Sequence, residues 1–149
     1  MSDLIERRCE TCSPVLLLKG QVVEGYKRGR QLGFPTANLF PVTEHVPQGV
    51  YAGWASISSH PKKTYKAVIS VGNNPVFGND SVSIEAHLCE KFEQDFYGDE
   101  IRLIICAFLR PMLKITYEQL ITAIENDKQF GIKCLDEKSL HEYSRHEFL

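Results

Sequence analysis

Short β-rich segments recur along this chain, each cut from the next by turn residues, and no regular alternation of strand with helix accompanies them. Residues 82–89 are the clearest case: Val82, Ile84, Ala86 and Leu88 fall on one parity, Ser83, Glu85, His87 and Cys89 on the other. Side chains alternate across a strand, so this segment presents one apolar and one polar face. Residues 15–23, 49–58, 64–71 and 101–109 are likewise rich in Val, Ile, Leu, Tyr, Phe or Trp and bounded by Gly, Pro, Asn or Asp, which predicts four more strands. Gly20, inside the first, predicts a bulge or sharp bend there. Strands without interleaved helices point away from a doubly wound α/β fold and towards a barrel or sandwich, the closed barrel being favoured because it leaves no unpaired edge.

The helical period appears only late. Tyr117, Leu120, Ile121 and Ile124 follow the i, i+3, i+4, i+7 spacing, and Thr116 with Gln119 can form a capping box at the start. A second, weaker pattern over residues 136–146 turns Leu140 and Tyr143 inward. The chain of 149 residues, 43% of them hydrophobic, fits one domain with a core at about 15–130 and extensions at both ends. Internal repeats and low-complexity tracts are absent from the sequence.

Charge and cysteine usage narrow the function. Lys and Arg total 17 against 19 Asp and Glu, so no general field draws the chain to nucleic acid or an anionic membrane, and phosphate binding must be local. Nothing approaches the roughly 20 apolar residues of a membrane span, and residues 1–8 are charged where a signal peptide turns apolar. Five scattered cysteines do not suit a disulfide framework. Cys9 and Cys12 have redox or zinc spacing, but lack the second pair or the strand-to-helix context those sites need. A cytoplasmic monomer is the expectation.

The segment Gly33-Phe34-Pro35-Thr36-Ala37-Asn38 carries the most chemistry. Pro35 holds Phe34 extended, so a strand-like path can continue with Thr36 and Asn38 on one side. A hydroxyl and an amide carbonyl side by side are neutral oxygen donors for a hard cation such as Mg²⁺, whose shell waters and phosphates complete. The same residues also make a turn with side-chain to backbone hydrogen bonds. Residues 25–33 hold three glycines and the basic Lys27, Arg28 and Arg30, a cationic loop whose main chain can approach phosphate closely. Gly20 and Gly25 have the outer spacing of a P-loop but are followed by Tyr26 and Lys27, so no Walker A is present.

Taken together with Gly20-Gln21-Val22-Val23 upstream, that segment resembles the signature of the riboflavin kinases. Further pieces fall in the same order: Gly49-Val50-Tyr51-Ala52-Gly53-Trp54-Ala55, Ser70-Val71-Gly72-Asn73-Asn74-Pro75, Ser83-Ile84-Glu85-Ala86-His87, Asp95-Phe96-Tyr97-Gly98 and Leu109-Arg110-Pro111. They span most of residues 16–125, and several spaced motifs in fixed order specify a family far better than one. The chain is similar to standalone, eukaryotic-type members, since it shows no His-x-Gly-His nucleotide motif of a fused FAD-synthesising domain.

The resemblance implies a six-stranded antiparallel Greek-key barrel with a C-terminal helix, binding Mg-ATP and riboflavin in one cleft and forming FMN. It places the metal on Thr36 and Asn38, the catalytic carboxylate at Glu85, and ATP against Gly25, Arg30, Thr36, the main chain near Leu88, and Tyr97. It places riboflavin at Arg110 and Ile115, although the chain reads Met112-Leu113-Lys114-Ile115 where many members carry an acidic and basic pair and then an aromatic. A carboxylate at Glu85 suits the reaction, because a primary hydroxyl attacks phosphorus poorly unless a positioned base takes its proton. His87 shares the polar face of Glu85, and Trp54 and Phe77 could stack on a ligand or simply fill the core. Two other classes stay open from the residues alone: a non-catalytic flavin or nucleotide carrier, and an oligonucleotide-binding barrel.

Overall fold

The computed structural model describes residues 3–23, 36–40, 45–73, 82–90 and 98–149. Its strands are β1 (Glu10–Val23), β2 (Thr36–Phe40), β3 (Gly49–Ile57), β4 (Tyr65–Asn73), β5 (Val82–Leu88) and β6 (Glu100–Arg110). They close into a barrel in the order β1-β2-β5-β4-β3-β6, every pair antiparallel. Strands β3, β4 and β5 form a meander, and β2 lies beside β5 rather than beside its sequence neighbour β3, which is the Greek-key connection. The expected strands are all present with ends shifted by a few residues, and β2 is the sixth.

The alternation in β5 has the anticipated consequence. Ile84, Ala86 and Leu88 point into the barrel with Ile69, Leu103 and Ile105, and the opposite parity faces outward. The outer face is itself covered over β3, β4 and β6 by helix α1 (Tyr117–Leu135), so Val50, Ala52, Trp54, Val68 and Ile104 form a second apolar cluster. Helix α1 starts at the predicted capping box, with Gln119 N–H donating to Thr116 Oγ1 at 3.2 Å and Thr116 N–H to Gln119 Oε1 at 3.0 Å. The weaker pattern after it resolves into α2 (Lys138–His141) and a 3₁₀ turn (Glu142–Arg145). Leu140 is buried, and Trp54 Nε1 donates to its carbonyl at 3.0 Å.

Two expectations are corrected. The irregularity in β1 does not fall at Gly20, which pairs in register with Ile101; it falls between Thr11 and Leu16, around Pro14. Proline has no N–H to give the ladder, whereas glycine can keep strand dihedrals, so the ladder breaks at the former. Nor are the cysteines all unpaired, because Cys9 and Cys134 are joined by a disulfide with a Cα–Cα distance of 5.8 Å. Gly53 shows how tightly β3 meets β6, since a Cβ there would stand 2.2 Å from the Ile104 carbonyl oxygen. Only a residue without a side chain admits that approach.

Candidate active site

Strands β2 and β5 bring the metal and base candidates together. Asn38 lies directly opposite Glu85, and Thr36 directly opposite His87. Residues opposed across an antiparallel pair share a face, with Cβ atoms about 5 Å apart. The row continues outward from Glu85 through Ser70 on β4 and Val50 on β3 to Arg110 on β6, all on the outer surface of the barrel. At about 4.8 Å per strand, Glu85 and Arg110 are separated by about 14 Å along that row.

Asn38 is the chemically pointed member. It is 5% exposed, and its Oδ1 has no hydrogen-bond partner among the described residues. An unpaired buried acceptor costs about 1–3 kcal/mol, a cost that a hard cation removes by taking the oxygen as a ligand. The donor set therefore fits Mg²⁺ held by neutral oxygens, with phosphates to complete the shell. Among the described residues no three His, Cys, Asp or Glu side chains gather to hold a metal, so a carboxylate cage is not the alternative in that part of the chain. Glu85 is half-buried between Asn38 and Ser70, and His87 is buried on the same outer face, opposite Val68.

Other candidates are placed differently. The Leu88 side chain is sealed inside the barrel, so what it can offer a nucleotide is its main chain. Gly25, Arg30 and Tyr97, like Phe77, lie outside the described residues. Arg110 and Ile115 both line a cleft of ≈ 1080 Å³, together with Leu113, Glu118 and the N-terminal segment at Leu4 and Ile5. The Arg110 guanidinium is nevertheless committed within the protein. Its Nε and Nη2 donate to Asp127 at 2.9 and 2.8 Å, and its Nη1 donates to the Pro111 carbonyl at 3.1 Å. As placed, it holds the segment after β6 in position.

Asp127 is the residue that the sequence reading passed over. It sits three residues beyond Ile124 on the apolar stripe of α1, and a carboxylate on a buried stripe calls for a cation across from it. Arg7 supplies a second one, donating from Nε to Asp127 at 2.7 Å and from Nη1 and Nη2 to Asp3 at 2.8 and 2.9 Å. The Arg7 hydrogen bonds hold the Asp3 carboxyl well below the usual carboxylate range. Burial pushes the Cys89 thiol up to about 11 and that of Cys106 up to about 12. Both are protonated at neutral pH, which removes them as nucleophiles.

Residues 14–135 match the family model for riboflavin kinase (flavokinase). Mouse riboflavin kinase is 42% identical over 126 residues, covering 79% of this chain and 79% of that protein. The bifunctional riboflavin kinase/FMN phosphatase of Arabidopsis thaliana is 42% identical over 125 residues, 78% of this chain, and this chain spans 32% of its length. The crystal structure of riboflavin kinase from Trypanosoma brucei superposes with a TM-score of 0.69 at 27% identity, covering 93% of this chain and 89% of that one.

Proposed function

The chain belongs to the riboflavin kinase family, and from that premise we infer that it transfers the γ-phosphate of ATP to the ribityl hydroxyl of riboflavin, giving FMN and ADP. The observation that carries the site assignment is the unpaired, buried Oδ1 of Asn38 directly across from Glu85. On this reading Thr36 and Asn38 hold a divalent cation, taken to be Mg²⁺, which supplies neutralisation of phosphate charge when bound. Glu85, one strand away, accepts the proton of the attacking hydroxyl, the role a positioned carboxylate fills in phosphoryl transfer. Its neighbour across the other edge is Ser70, so the base is flanked by polar groups on both sides.

The nucleotide is assigned to Gly25, Arg30, the main chain near Leu88, and Tyr97. The flavin is assigned to the end of β6, with Ile115 contributing apolar surface and Arg110 ordering the segment that follows. Transfer is direct, and no covalent enzyme intermediate is required. We take the enzyme to act as a monomer on small molecules, away from nucleic acid and membranes, and the near balance of 17 basic and 19 acidic residues supports that. Among the described residues no helix is long and apolar enough to cross a membrane. A cytoplasmic location is set against the Cys9–Cys134 bond, since such bonds are uncommon in reducing compartments.

The direct test is incubation with riboflavin, ATP and Mg²⁺, with FMN followed by chromatography. FMN with stoichiometric ADP is the expected product. Riboflavin binding without ATP consumption would instead make the chain a flavin carrier. Calorimetry of Thr36→Val and Asn38→Leu should show Mg-dependent ATP affinity reduced while the fold persists; equal affinity would remove both from the cation site.

A further inference from the structure

The N-terminal segment, residues 3–9, precedes the stretch that matches the family, which begins at residue 14. It is nevertheless tied into the body of the protein at every level. Arg8 N–H donates to the Leu109 carbonyl at 2.9 Å, and Arg7 Nη2 donates to the Ala123 carbonyl at 3.1 Å. Cys9 is bonded to Cys134 at the far end of α1. The segment therefore straps β6 to α1 along the helix.

At the centre of the strap four charges form one chain, the half-buried Asp3 followed by Arg7, Asp127 and Arg110. The side chains of Arg7, Asp127 and Arg110 are 8%, 1% and 4% exposed. Asp127 Oδ1 accepts from both arginines, at 2.7 Å from Arg7 and 2.9 Å from Arg110. The chain does not stop at Arg110, which binds the Pro111 carbonyl and so fixes the start of residues 111–116. The next side chain along, Met112, packs on Gly72, where a Cβ would come within 3.1 Å of its Cε. Gly72 is two residues from Ser70, the neighbour of Glu85, on the same face of β4.

We propose that Arg7 is a positioning residue for the riboflavin side of the site: through Asp127 and Arg110 it fixes residues 111–116 against the outer face of the barrel that carries Glu85. The proposal rests on the assignment of flavin to the end of β6 given above. Its physical basis is that Arg7 and Arg110 share one carboxylate oxygen, so the angle of the Arg110 guanidinium depends on Arg7 occupying the other side. Charge balance adds to this. With Arg7 present the four groups sum to zero; without it Asp3 loses its partner and Asp127 Oδ1 keeps Arg110 alone, so the Arg110 guanidinium is free to turn across the carboxylate.

The test is steady-state kinetics of Arg7→Met, which keeps the aliphatic bulk and removes the donors. The riboflavin KM should rise about tenfold while kcat and the ATP KM change by less than about twofold, the split expected when one substrate's wall is misplaced. Arg7→Lys, which keeps the charge but not the fork, should fall between. Should Arg7→Met fail to fold, Asp3→Asn removes only the outer partner and should raise the riboflavin KM alone, by a smaller factor. A lowered melting temperature with both KM values unchanged, or both KM values rising together, overturns the proposal and leaves the strap a purely structural tie. If the wild type makes no FMN, the family-based assignment fails separately. The strap is then read from quenching of riboflavin fluorescence on binding, where Arg7→Met must still weaken affinity; equal affinity would overturn it.

Discussion

Replacing Asp127 with asparagine preserves the shape of the side chain but removes the charge that both buried arginines face. Arg7 Nε and Arg110 Nε converge on Oδ1, and Arg110 Nη2 on Oδ2. An amide has one oxygen to offer, so its NH₂ is turned towards at least one guanidinium donor. Breaking a buried ion pair in this way costs about 3–5 kcal/mol, because a charge is left without its partner. An unfolding entropy of about 2.1 cal/mol/K per residue gives about 0.31 kcal/mol/K over 149 residues, so the melting temperature should fall by about 10–16 °C. Calorimetry at neutral pH with matched circular dichroism melts measures this. A fall of less than about 3 °C would mean that the arginines keep access to water or to other acceptors, and the account of the strap as a buried charge chain would be wrong.

Denatured without reductant, the protein should titrate three free thiols, and five would disprove the Cys9–Cys134 bond; Cys9→Ser with Cys134→Ser should destabilise by up to about 5 kcal/mol in the chain-entropy treatment of a loop closed across 125 residues. The Asp3 carboxyl titrates below its ordinary value in the folded protein, so its contribution is complete above the unfolded value near 4 and is lost as pH falls through the folded one. Asp3→Asn should therefore narrow its stability deficit as urea midpoints are taken from pH 7 down towards pH 3, and a deficit independent of pH would contradict the Arg7 pairing. Asn38→Leu should raise or leave unchanged the melting temperature of the free protein, since it removes an unpaired buried acceptor; a clear loss of stability would show that Oδ1 has a partner in the unliganded state.

What could be read from the sequence was whatever local chemistry decides. The capping box at Thr116 and the alternation in β5 depend on neighbours within a few residues, and both stand in the structure as expected. Strand β2 was legible only as an extended path after Pro35, because five residues are too short a run for the alternation of Thr36 and Asn38 with Ala37 and Leu39 to stand out as a strand. In β1, Gly20 permits irregularity, but Pro14 requires it. Tertiary pairings left weaker traces or none. Cys9 and Cys134 gave no sign of each other across 125 residues, and Arg7 reads as one basic residue in a charged segment. Asp127 was the exception, being out of place on an apolar stripe. The opposition of Asn38 and Glu85 is also tertiary, set by register between strands far apart in sequence, and the family signature pointed to both residues without showing that they are neighbours.

The central claim is that Glu85 is the base beside a cation held by Asn38, and single-turnover formation of FMN by Glu85→Gln measures it. The amide preserves size and hydrogen bonding but cannot accept the hydroxyl proton. The rate should fall about 10²-fold or more while Mg-ATP affinity, read by calorimetry, stays at the wild-type value. FMN formation within about threefold of wild type would contradict the assignment and return Glu85 to the status of a strand carboxylate.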